Sequence, residues 1–250
     1  MSKPTIVFLG DSITEGKIGA SYVERIRTQL QPDVRVINAG INGDTTVNMW
    51  RRIDRDVLPH QPSMVVVIAG LNDLGTAYAL QPQRHYYRWL KQNWIELTPT
   101  RFAASYQRLI ITLQQRTNAQ IVVATPTSLT EQLDMPVQTL INAYSAIVWA
   151  VAARMHVPVI DTRAAFLRAI AEDPRPGPDY RIEVAVQDMI TVGLKQASYR
   201  ELTHQRGYRL LCDGAHLADA GADLVATTMI PILRQLLAHS VAPSTPSNAH

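Results

Sequence analysis

Three side chains of this sequence could together break an acyl bond: a serine, an aspartate and a histidine. Ser12 lies in "TIVFLGDSITEGKIG" (residues 5–19), where a β-branched apolar run enters a loop with glycines on both sides of the serine. Near the other end, "CDGAHLADAG" puts Asp213 three residues before His216, close enough in a loop or a helical turn for carboxylate and imidazole to meet. A serine hydroxyl is inert until a base takes its proton, and a histidine oriented by a carboxylate is such a base. Acyl transfer also needs donors for the developing oxyanion. Gly43 offers a backbone N–H that no side chain obstructs, Asn72 offers an amide, and Ser12 adds its own N–H.

The first loop also invites a phosphate reading, which its spacing refuses. A Walker-type loop needs four residues between its glycines and a Ser or Thr after the lysine. Here Gly10 and Gly16 enclose five, and Ile18 follows Lys17. A dinucleotide fingerprint is missing its first glycine. The remaining histidines, His60, His85, His156, His204 and His239, show no metal-ligand spacing, so neither a metal nor another cofactor is expected.

The chain has 250 residues, enough for one domain with a large core. A net charge of +3 on scattered Lys and Arg argues against nucleic acid. No unbroken apolar run approaches the roughly 18 residues of a membrane span, and the N-terminus lacks the pattern of a signal peptide, so a cytoplasmic location is expected. A single cysteine, Cys212, excludes an internal disulfide.

These chemical residues need a scaffold. Apolar, β-branched runs recur at "TIVFLG", "VRVINA", "SMVVVIAG", "AQIVVATP" and "VPVIDT", separated by longer amphipathic stretches such as "TVNMWRRIDRDVL" and "TRFAASYQRLIITLQQR". That alternation predicts a five-stranded, doubly wound α/β domain of parallel βαβ units. Ligands of such sheets bind outside the carboxyl ends of the strands, where the loops holding Ser12, Gly43 and Asn72 all fall.

"GDSIT" with Ser12, "NAGINGDTT" with Gly43, "GLND" with Asn72 and "DGAH" with Asp213 and His216 together resemble the four signature blocks of the SGNH hydrolase (GDSL esterase/lipase) family, in the family's order. The resemblance runs from residue 5 to about 235. It implies a flavodoxin-like, three-layer α/β/α fold and a cofactor-independent serine hydrolase cleaving ester or thioester bonds of a small molecule. In that reading Ser12, His216 and Asp213 are nucleophile, base and acid, and Ser12, Gly43 and Asn72 form the oxyanion hole. It favours Gly43 over Gly40, which is left a turn role. Ile13 stands where the family's nickname has leucine.

Two excursions interrupt the rhythm of a domain spanning 1–239: residues 76–100, and residues 171–211 with a proline-rich opening. The first is rich in aromatics, and Tyr78, Trp89 and Trp94 are its candidates for contact with substrate. In the second, "VAVQDMITVGL" is apolar enough to act as a lid. Residues 240–250 read as a disordered tail. An acyltransferase on the same scaffold, or a non-catalytic carbohydrate- or lipid-binding module, are the rival functions. Acyl and alcohol specificity and oligomeric state are left open.

Overall fold

In the computed structural model of the chain, the described residues are 3–79, 83–175 and 182–241. Most of the expected tail and of the proline-rich turn lies outside them. The first half contains β1 (Thr5–Gly10), α1 (Ser12–Glu15), α2 (Tyr22–Leu30), β2 (Arg35–Gly40), α3 (Thr46–Arg51), α4 (Ile53–Asp56), β3 (Met64–Ile68), α5 (Leu71–Tyr78), α6 (Gln83–His85) and α7 (Pro99–Arg116). It continues with β4 (Gln120–Ala124), α8 (Pro136–Met155), β5 (Val159–Ile160), α9 (Thr162–Glu172), α10 (Ile182–Gly193), α11 (Tyr199–Gln205) and α12 (Asp219–Val241).

The five strands form one parallel sheet in the order β2-β1-β3-β4-β5. Its central strands are apolar without alternation because helices cover both faces. Ile6 to Leu9 of β1 and Met64 to Val67 of β3 are fully buried. One layer holds α3, α5, α7 and α8, and the other holds α2, α9 and α12. By length and composition α8 alone, among the described residues, is apolar enough to cross a bilayer. It buries Ile141, Tyr144, Val148 and Val151 in the core and packs on α7.

Register fixes where the chemistry can assemble. Gly10 pairs with Gly40 and with Ile68, Ile68 with Ala124, and Ala124 with Ile160. All five strands therefore end at one level, and the segments after them emerge along one edge.

One expectation is corrected in detail. The amphipathic stretch from Thr46 to Leu58 is not one helix, because Arg52 (φ −112°, ψ 10°) separates α3 from α4. Its guanidinium turns inward to the Asp44 carboxylate at 2.7 Å, the Asp56 carboxylate at 2.9 Å and the Gly10 carbonyl at 2.9 Å. Among the described residues both excursions carry helix: the first contains the end of α5, α6 and a π-helical turn at Tyr86–Leu90, and the second α10 and α11.

Candidate active site

Ser12 opens α1 directly beyond β1. The Asp11 carboxylate caps this short helix by accepting from the Ile13 N–H at 2.9 Å, and Gly16, in the left-handed region (φ 68°), ends it. The turn is tight enough that a Cβ on Gly10 would lie 2.0 Å from the Thr14 hydroxyl oxygen. Chain reversal over so few residues holds Ser12 at the end of the sheet.

Asp213 and His216 share one closed turn. The His216 Nδ1 and Asp213 Oδ2 lie 2.7 Å apart, and Asp213 Oδ1 accepts from the backbone N–H groups of Ala215 (3.0 Å) and His216 (2.9 Å). The Cys212 N–H donates to the His216 carbonyl at 2.8 Å, closing the loop across its base. Burial alone would raise the Asp213 carboxyl. The His216 charge, its ring hydrogen bond and the two backbone donors outweigh this and hold the group below its ordinary value. A residue that sequence reasoning passes over anchors the approach to this turn. Glu131, buried in the segment after β4, accepts on Oε1 from the N–H groups of Arg209 (3.3 Å), Leu210 (2.8 Å) and Leu211 (2.8 Å).

Two of the three expected oxyanion donors, Gly43 and Asn72, lie on joined segments, and the expected loop setting is corrected for Asn72 and Ser12. Gly43 occupies a turn after β2, but Asn72 stands in the first turn of α5, not in a loop, and Ser12 is itself helical. The Asn72 Nδ2 donates to the Asp44 carbonyl at 3.2 Å, joining the two segments. Gly43 has φ +73°, and a Cβ there would strike the Tyr86 hydroxyl at 2.1 Å, so only glycine fits. Gly40 does not turn: it ends β2, where a Cβ would meet the Glu15 nitrogen of α1 at 2.1 Å.

The first excursion clasps this region. Lys91 Nζ donates to the Asn42 carbonyl at 2.8 Å and pairs with Asp44 Oδ1 at 2.5 Å. Asn93 Nδ2 reaches the Thr45 hydroxyl at 3.1 Å, and the Tyr87 hydroxyl donates to Asn72 Oδ1 at 2.8 Å. Tyr86 lies over Gly43, and burial together with the Asp44 and Glu15 charges pushes its hydroxyl up to about 12.

Two further carboxyls lie behind the site. Burial raises Asp11 to about 6 against the Ile13 N–H bond and the His216 charge, with Asp44 adding to the rise and the Asn72 amide hydrogen bond opposing it. Those influences place Asp11, the residue before Ser12, within reach of both His216 and Asn72. Together with the Asn72–Asp44 hydrogen bond, they bring the four signature segments together. Burial raises Asp73 to about 7, opposed by the hydroxyl and amide of Thr46.

The three aromatic candidates for contact with substrate are exposed. Trp89 and Trp94 meet edge to face with centroids 4.8 Å apart, exposed by 67% and 58%, and Tyr78 is exposed at the end of α5. Helix α10, the lid candidate, is pinned to the end of α11 by Arg206, which pairs with both carboxylate oxygens of Asp188 at 2.6 Å. Cys212 is buried, and burial pushes its thiol far above the ordinary value, which removes it as a rival nucleophile. Among the described residues no group of three His, Cys, Asp or Glu could hold a metal.

Comparison with known proteins bears on the family and the fold. The GDSL-like Lipase/Acylhydrolase family profile matches residues 8–224. An acetylxylan esterase of Geobacillus stearothermophilus is 25% identical over 178 residues, 64% of this chain and 77% of that protein. Among solved structures, an acetyl xylan esterase superposes with a TM-score of 0.62 at 23% identity, covering 92% of this chain and 99% of its own. The Geobacillus stearothermophilus acetylxylan esterase gives a TM-score of 0.63 at 21% identity, covering 92% and 94%.

Proposed function

The chain belongs to the GDSL-like Lipase/Acylhydrolase family and is a serine esterase, and from that premise we propose a Ser12–His216–Asp213 triad that removes a small acyl group, acetyl first, from a carbohydrate hydroxyl. His216 takes the Ser12 proton as the hydroxyl attacks the ester carbonyl, and returns it to the leaving alcohol. Asp213 fixes the imidazole and stabilises its charge. The backbone N–H groups of Ser12 and Gly43 and the Asn72 amide receive the oxyanion. Water then attacks the acyl-enzyme, with His216 again as base.

The observation that carries this reading is the 2.7 Å contact between His216 Nδ1 and Asp213 Oδ2, on a turn whose histidine acts on the residue preceding Ser12. The second ring nitrogen of His216 is the one assigned to the serine. Support for the acyl group and its carrier comes from the relatives, acetylxylan esterases in both comparisons. In the Geobacillus stearothermophilus enzyme, structures described as catalytic mutants replace a serine and a histidine by alanine.

Ser12→Ala is expected to lower nitrophenyl acetate hydrolysis by about 10⁴-fold or more with an unchanged melting temperature, since a hydroxyl at the sheet edge supports no core. Ordinary turnover by the purified variant would overturn the triad. The parent enzyme is expected to prefer acetate to octanoate esters and to deacetylate acetylated xylo-oligosaccharides. Preference for octanoate would reject the acetyl reading while leaving the triad intact.

A further inference from the structure

Helix α5 carries a glycine where a helix interior favours alanine. Gly75 lies three residues after Asn72, so the two share a face. A Cβ built on Gly75 would come within 2.6 Å of the Tyr87 hydroxyl oxygen and 3.0 Å of its ring. The glycine thus leaves a niche, and the hydroxyl that enters it donates to Asn72 Oδ1 at 2.8 Å. Tyr87 is itself held in place: it is 3% exposed, its ring packs edge-on against Tyr86 at 5.4 Å, and its carbonyl accepts from the Asn93 N–H at 2.9 Å.

A carboxamide has one accepting and one donating end, and its two orientations present opposite chemistry. For Asn72, the Asp44 carbonyl can only accept and faces Nδ2, whereas Tyr87 supplies a donor to Oδ1. Both contacts select the same orientation. The other Nδ2 hydrogen lies on the side of Asp11, whose carboxyl the Asn72 amide hydrogen-bonds, next in sequence to Ser12. Preorganisation of this kind matters because a donor that must reorient during reaction gives up part of its stabilisation.

We propose that Tyr87, seated in the niche left by Gly75, is a positioning residue for ester hydrolysis that fixes the Asn72 amide as an oxyanion donor. This rests on the assignment of Asn72 to the oxyanion hole. The role lies in the first excursion, outside the four signature segments, and makes that excursion part of the catalytic apparatus.

The test is a double-mutant cycle on nitrophenyl acetate hydrolysis. Asn72→Ala is expected to lower kcat/KM by about 100-fold. Tyr87→Phe, which keeps the ring, is expected to lower kcat and kcat/KM together by about ten-fold with KM within about two-fold. In the Asn72→Ala background, Tyr87→Phe should cost nothing further, because the group it acts through is gone. A structural role would instead persist in that background, and a further ten-fold loss there overturns the proposal. So does parental turnover by Tyr87→Phe when Asn72→Ala is slow. Parental turnover by Asn72→Ala would remove the oxyanion assignment as well, which separates the two failures. Gly75→Ala offers an independent arm: helix propensity favours it, yet it should displace the hydroxyl and reduce kcat about as far as Tyr87→Phe. Unchanged kcat in both variants would leave Tyr87 as packing alone.

Discussion

Asp73 Oδ1 accepts from both the amide (3.0 Å) and the hydroxyl (2.6 Å) of Thr46, tying α5 to the start of α3, while Oδ2 is buried with no hydrogen-bond partner among the described residues. A neutral carboxyl suits that setting better than a carboxylate. Burial accordingly raises the group from 3.8 to about 7. The folded chain therefore binds this proton more tightly than the unfolded one. The stability it contributes is complete below the unfolded value of 3.8 and is lost as pH rises through about 7. Asp73→Asn keeps an acceptor for Thr46 and removes the titration. The difference in melting temperature, variant minus parent, should become more positive between pH 5 and pH 8. A difference that does not change with pH would mean that Asp73 is ionised throughout that range. The position of Asp73 beside Asn72 is legible in the sequence. Its environment is not, because the hydroxyl that binds it lies 27 residues away.

Among the elements, the strands were the most legible, since an unbroken β-branched run between amphipathic helices has few other solutions than a parallel strand covered on both faces. All five apolar runs became β1 to β5. Local pattern failed where a tertiary contact overrode it. Arg52 breaks a helical period because its buried guanidinium binds Asp44, Asp56 and the end of β1. Glu131 gave no signal at all, since it acts on backbone 79 residues further along the chain. Its single oxygen receives three N–H groups just before the turn that holds Asp213 and His216. Glu131→Ala strands those donors, at a cost of roughly 3 kcal/mol or more from unsatisfied groups, and should lower kcat as the turn loses its anchor. Glu131→Gln retains an acceptor oxygen and should lose markedly less of both. Urea unfolding and nitrophenyl acetate turnover measure the two effects. An alanine variant as stable and active as the parent would show that the turn is self-supporting.

For the whole molecule, the remaining question is what part of the surface meets a substrate larger than the ester it carries. The first excursion faces two ways within a few residues. Tyr87 is buried against Asn72, whereas Trp89 and Trp94 form an edge-on pair open to solvent. Helix α10 likewise hides Asp188 in its ion pair with Arg206 and exposes Met189 and Ile190. The chemistry of the signature residues is common to any ester, so selection among carriers must come from surfaces like these. An exposed indole offers a flat apolar face with a polar edge, which suits a sugar ring. If Trp89 supplies such a face, Trp89→Ala should raise KM for an acetylated xylo-oligosaccharide by about ten-fold, as loss of roughly 1–3 kcal/mol of contact predicts. Nitrophenyl acetate carries no sugar ring for that face and should be hydrolysed as before. The melting temperature should hardly move, because a side chain 67% exposed contributes little to the core. Equal losses on both substrates would place Trp89 with Tyr87 among the supports of the site, and a fall in melting temperature with unchanged kinetics would make the indole pair a packing unit only.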